Sequence, residues 1–156
     1  MIREVDKSYI AGFLDGDGCI GIYRVKRRRG ASWHYMLQVI FVQSRIDKAW
    51  VLNYIHELYG GFIVNTGAQK RNPNCNPSWA LRLSGNGAGI LIKDCIDFMI
   101  VRSKQAELAL QFLEFREKNN GQRFGRVKLT EGVIMEYENM RIRMNCYNKR
   151  GSGNEK

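Results

Sequence analysis

A chain of 156 residues with 44% hydrophobic residues and only two prolines is long enough to bury a core as one domain, and its composition argues against disorder. Its 25 Lys and Arg against 15 Asp and Glu leave a formal charge of +10 and a pI near 9.7, drawing it to polyanions: nucleic acid first, an anionic membrane surface second. No run of about 18 apolar residues exists, which excludes a spanning helix, and Met1–Ile10, with its scattered charges, is unlike a signal peptide.

In chain order, Lys7–Asp15 predicts a short helix with Asp6 or Ser8 as its cap. Cys19–Lys26 carries Ile20, Ile22 and Val25 among polar residues and predicts a strand, which runs into the basic tip Lys26–Gly30. Tyr35–Gln43 returns as a second strand. Asp47–Tyr59 has Val51, Leu52, Ile55 and Leu58 at helical spacing, with Gly60 as the stop. Two further strands, Phe62–Ala68 and Ser78–Ser84, flank the polar loop Gln69–Pro77; Trp79, Leu81 and Leu83 alternate with Ser78, Ala80 and Arg82 as in a half-buried strand. Gly85–Gly89 is expected to be a flexible joint. Helices follow at about Ile90–Ile100, Ser103–Lys118 and Thr130–Met144, separated near Asn119–Gly125. The order is αββαββ and then helices, an α+β pattern. It divides into one domain over residues 1–145 and a polar tail over 146–156, frayed from about Lys149.

Cysteines 19, 75, 95 and 146 lack the short spacing of a zinc knuckle and are expected to be free thiols. His34 and His56 are too few for a histidine-metal nuclease motif.

The stretch Ile10-Ala11-Gly12-Phe13-Leu14-Asp15-Gly16-Asp17-Gly18 is the most informative in the chain. An apolar helix turn ends in two carboxylates set among three glycines. Carboxylates at a helix C-terminus face the negative end of the helix dipole, and a divalent cation, which prefers oxygen ligands, offsets that cost. Gly12 and Gly16, four residues apart, lie on one side of the helix and permit close approach of a second helix. Taken alone, the pattern fits a glycine-rich turn after a helix equally well.

These nine residues resemble the signature of the LAGLIDADG homing endonucleases. Ala11, Gly12, Asp15, Asp17 and Gly18 match its consensus, and at residue frequencies of roughly 5–8% such a match arises by chance about once in a million starts. The resemblance implies a curved antiparallel sheet of four strands, with helices on one face and the other face forming a saddle on double-stranded DNA. One motif implies a homodimer, its two signature helices packed through Gly12, Phe13 and Gly16.

The same resemblance makes Asp17 the metal-binding carboxylate, joined by the main-chain carbonyl of Gly16, with Mg2+ as the cofactor and Mn2+ as an acceptable substitute. Asp15 corresponds to a residue that caps helix ends. Gln43 corresponds to a glutamine that organises water, although aligning on Trp50 puts Ser44 there instead. Lys48 matches a basic residue at the start of the following helix. Lys104 begins a Lys-Gln-Ala segment, and Arg102 stands where the family has an active-site lysine. Arginine keeps the charge there but cannot serve as a base.

By family register, Tyr23, Val25, Arg27 and Gln38 face DNA, and Thr66, Ser78 and Arg82 extend that surface. Arg24, Lys26 and Arg28 then reach phosphates or solvent. Trp33, Trp50 and Trp79 are expected in core or hairpin packing. The implied activity is a double-strand break in a long, near-palindromic site, leaving short 3′ overhangs. Family members are commonly intron-encoded, which implies an intracellular location, organellar or in microbial cytoplasm, away from membranes. Two other readings stand beside it: a maturase binding intron RNA on the same fold, and a basic structural protein on ribosomal RNA.

Overall fold

A computed structural model describes residues 2–26, 33–44, 50–67, 73–119 and 129–149. Arg27, Arg28 and Arg29 of the basic tip, Lys48 and the tail from position 150 lie outside the described residues.

The elements are α1 (Glu4–Asp17), β1 (Gly18–Lys26), β2 (Trp33–Ser44), α2 (Trp50–Tyr59), β3 (Phe62–Asn65), β4 (Ser78–Ser84), α3 (Asn86–Cys95), a 3-10 turn (Ile96–Phe98), α4 (Ser103–Lys118) and α5 (Glu131–Asn148). The strands form one antiparallel sheet in the order β1-β2-β4-β3. This is the expected α+β fold.

Alternation along the strands fixes which side is covered. Ile20 and Ile22, Leu37, Val39 and Phe41, and Leu81 and Leu83 all point to one face and are buried there. Against them pack Ile10 and Leu14 from α1, Leu52 and Ile55 from α2, Leu91 and Ile92 from α3, and Phe112 from α4. Each such aliphatic or aromatic side chain contributes about 1.5–3 kcal/mol by leaving water. Helix α5 lies along edge strand β1, where the Asn148 amide donates to the Ile20 carbonyl at 2.7 Å and Tyr137 stacks on Tyr35.

Several boundaries differ from expectation, each for a local reason. Helix α1 starts at Glu4, so neither Asp6 nor Ser8 caps it. Asp6 is held from outside the helix by Arg3, and the Ser8 hydroxyl donates back to the Glu4 carbonyl at 2.9 Å. Strand β3 ends at Asn65, whose side chain accepts from the Gly67 N–H and turns the chain at a positive φ of 69°. The joint expected at Gly85–Gly89 is the first turn of α3; only Gly85 has positive φ. Helix α5 continues four residues past Met144. Trp33 packs on its hairpin as expected, with Arg24 and Lys26 each 4.5 Å from its ring, whereas Trp50 is 61% exposed. All four cysteines are free, and no described helix is long and apolar enough to cross a membrane.

Candidate active site and nucleic-acid interface

The signature residues form the last two turns of α1 and the step into β1. Gly18 leaves the helix with its N–H on the Leu14 carbonyl. A Cβ at Gly18 would lie 2.8 Å from the Leu14 backbone, so glycine alone allows helix to pass directly into strand here. The Asp15 carboxylate is consumed structurally, as expected of a capping residue. It accepts backbone N–H groups from Ile100 (2.7 Å), Val101 (3.0 Å) and Arg102 (2.9 Å) at the start of α4. Arg102 Nε returns to the Leu14 carbonyl at 2.8 Å.

Asp17 is different: it is exposed on the final residue of the helix, beside the exposed Gly16. Their carboxylate and carbonyl oxygens are the hard donors that Mg2+ or Ca2+ accepts. Among the described residues no three His, Cys, Asp or Glu side chains gather to hold a metal. This donor set fits a divalent cation that takes oxygen ligands beyond those of the described residues.

The start of α4 brings Arg102, half-buried, and Lys104, exposed, to the same end of the sheet as Asp17. The end of β2 arrives there as well, because Gly18 pairs with Phe41. Gln43 falls in register with Trp79 on the helix-covered side, whereas Ser44 falls on the open side opposite Ser78. Gly12 and Gly16 both face open space: beyond the helix's own backbone and chain neighbours, no atom of the described residues lies within 4 Å of an added Cβ. Phe13, expected beside them, instead turns to the sheet and stacks on Phe41, ring centroids 5.3 Å apart. Exposed Val5 and Tyr9 continue the glycine face along α1.

The open face of the sheet carries Tyr23, Val25, Gln38 and Arg82, four of the residues expected to face DNA. Tyr23 lies flat over Gly21, where a Cβ would meet its ring at 2.6 Å. Burial pushes its phenol pKa up, and the neighbouring Cys19 thiol adds to that rise. Thr66 and Ser78 share a hydrogen bond between their hydroxyls, and Ser78 is buried. Val42, Val64 and Phe62 are also exposed on this face, and their signal in the sequence is an apolar residue at an outward position of the strand alternation.

The sequence model of the LAGLIDADG endonuclease family matches residues 10–116, and the chain belongs to that family. Among curated proteins no sequence matches it. Among solved structures it is similar to the homing endonuclease I-CvuI in complex with its target in the presence of Ca (TM-score 0.74, 16% identity), covering 97% of this chain and 87% of that one. The group I intron-encoded homing endonuclease I-CeuI complexed with DNA gives a TM-score of 0.68 at 14% identity, covering 100% and 72%. The meganuclease I-SmaMI bound to DNA gives 0.67 at 16%, covering 89% of this chain but 44% of that one.

Proposed function

We propose that this protein is a site-specific homing endonuclease that acts as a homodimer on a long, near-palindromic duplex and leaves short 3′ overhangs. The observation that carries this reading is the pairing, on one helix, of an exposed terminal Asp17 with an outward face bared by Gly12 and Gly16. A second copy packed on that face brings a second Asp17 close to the first. The likeness covers 87% of I-CvuI but 44% of I-SmaMI, which supports one copy of this fold in the present chain.

In this reading Asp17 and the Gly16 carbonyl hold the cation, with Mg2+ the working ion and Mn2+ a substitute. When bound, it supplies an activated water and neutralises charge on the phosphate being cut. The chain's own residues do the rest. Arg102 and Lys104 set positive charge beside the phosphate, where it stabilises the extra negative charge of the transition state. Arg102, already fixed through Nε, holds a charge in place rather than moving a proton. Ser44 and Gln43 at the end of β2 supply hydroxyl and amide groups that order water. The open face of the sheet lies in the major groove, where base pairs are distinguishable, and a two-fold protein reads a two-fold site.

The test is cleavage of a large duplex library with Mg2+, comparing the intact protein with Asp17→Asn and running Ca2+ in parallel. Enrichment of one near-palindromic site, cut by the intact protein alone, is the expected result. Cleavage retained by a well-folded Asp17→Asn protein rejects the assignment. Binding without cutting under every condition moves the function to binding, with intron RNA the next ligand to test.

A further inference from the structure

An antiparallel sheet with one covered face normally shows polar residues on the other. Here the open face has an apolar centre. Val42, Ala80 and Val64 stand in one cross-strand row over β2, β4 and β3. In the next row Ile40, Arg82 and Phe62 stand side by side. Phe62 is 75% exposed, Val42 41% and Val64 37%. Ala80, between the valines, is buried, so the exposed apolar surface of the row is that of the valines. Polar residues bound the patch: Ser44 and Ser78 on one side, Gln38 and Ser84 on the other.

We infer that this patch reads the 5-methyl groups of thymine, so that the target carries T·A pairs where Val42, Val64 and Phe62 meet the groove. The inference rests on the proposed binding of duplex DNA by this face. The occupant follows from continuity: Tyr23, Gln38 and Arg82 lie on the same face as the patch, on a chain of net charge +10. Contiguous exposed apolar surface marks a place that something covers. The thymine methyl is the one apolar group that major-groove base edges offer. Cytosine would bury an N4 donor against valine, and guanine an O6 acceptor, each left without a partner and penalised for it. Neighbouring strands lie about 4.8 Å apart, so the row across β2, β4 and β3 spans about 10 Å, or about three base steps at roughly 3.4 Å each.

The experiment uses the full-length protein and the site recovered from the cleavage library. Each thymine is replaced in turn by deoxyuridine, which removes the methyl and leaves every hydrogen-bonding group in place. Two or more neighbouring positions should lose about fourfold in binding and cleavage per methyl removed, with little change elsewhere. Phe62→Ser, Val42→Ser and Val64→Ser, all at exposed positions, should abolish that thymine-over-uracil preference at those positions while the protein still binds. Equal handling of thymine and uracil duplexes at every position overturns the inference and leaves the nuclease reading standing. So does a preference that persists unchanged in all three variants. A library in which no duplex is cut or retained overturns the underlying reading, and this inference with it.

Discussion

Asp15 and Arg102 fasten each other's helices. The Asp15 carboxylate, near the end of α1, accepts three backbone N–H groups at the start of α4, and Arg102 Nε donates to the Leu14 carbonyl of α1. The dipole problem raised by a carboxylate at a helix C-terminus is thereby solved within the fold for Asp15. The same charge lies at the favourable N-terminal end of α4, and a guanidinium lies at the unfavourable end of α1. Among the described residues none is seen to hold the Asp17 carboxylate in this way, and in the proposed reading a cation offsets its cost.

Asp15→Ala strips three N–H groups of their acceptor at once. Loss of a strong cap costs about 1–2 kcal/mol, which for a domain of this size lowers Tm by about 3–8 °C. Scanning calorimetry of Asp15→Ala beside Asp17→Asn should show that drop for the first and little change for the second. Equal Tm values for both would mean that the clamp contributes nothing to stability.

Gly12 and Gly18 predict opposite phenotypes within one motif. A Cβ at Gly12 meets no other element among the described residues, whereas one at Gly18 collides with the Leu14 backbone. Gly12→Leu should therefore fold with near-normal Tm yet dissociate in sedimentation at concentrations where the intact protein is dimeric. Gly18→Ala should lose stability outright, by the 1–3 kcal/mol usual for forced overpacking. A Gly12→Leu protein with an unchanged dimer constant rejects the helix-to-helix contact.

Strict alternation made β4 legible to the residue at Ser78–Ser84, and the motif placed the end of α1 in view. Boundaries set by side chains turning back on their own backbone were not legible, as at Asn65 and Ser8. Nor were relationships between distant parts of the sequence. Asp15 was expected to cap something, but its partners lie 85 or more residues away. Phe13 was grouped with the glycines because it lies between them, yet a helix turns about 100° per residue and carries its ring to Phe41. The shared face of Tyr23 and Gln38 was legible from the family register, while the use of the Thr66 hydroxyl by Ser78 depended on a pairing that only the folded sheet defines.

Glu138 makes stability depend on acid. Arg141, first, and also the Tyr35 hydroxyl at 2.8 Å hold its carboxyl at about 2, below the ordinary 4.5. The unfolded chain binds this proton more readily, so the stabilisation is fully present above pH 4.5 and is lost as pH falls from 4.5 toward 2. After solvent screening it is worth on the order of 1 kcal/mol. Glu138→Gln should lower Tm at pH 7 and converge with the intact protein near pH 2. Parallel Tm curves for the two proteins across that range would remove Glu138 as the cause.

Salt dependence separates groups that neutralise phosphate from groups that read bases. The log of the binding constant should fall with log salt at about −0.9 per phosphate contacted, and a flat response would contradict a charged groove. Lys104 is exposed in the first turn of α4, and in the proposed reading it contacts a phosphate. Lys104→Ala should weaken all sequences alike and make the slope shallower by about 1. Arg82 stands inside the open face between Ile40 and Phe62, and in the proposed reading it meets base edges rather than phosphates. Arg82→Ala should cost about 1–3 kcal/mol against the preferred base at one position in each half-site and relax selectivity there. Its slope should stay close to that of the intact protein. Titrations at 50 and 200 mM salt on the selected site and its single-base variants distinguish the two, and a shallower slope for Arg82→Ala with selectivity intact would reverse the assignment.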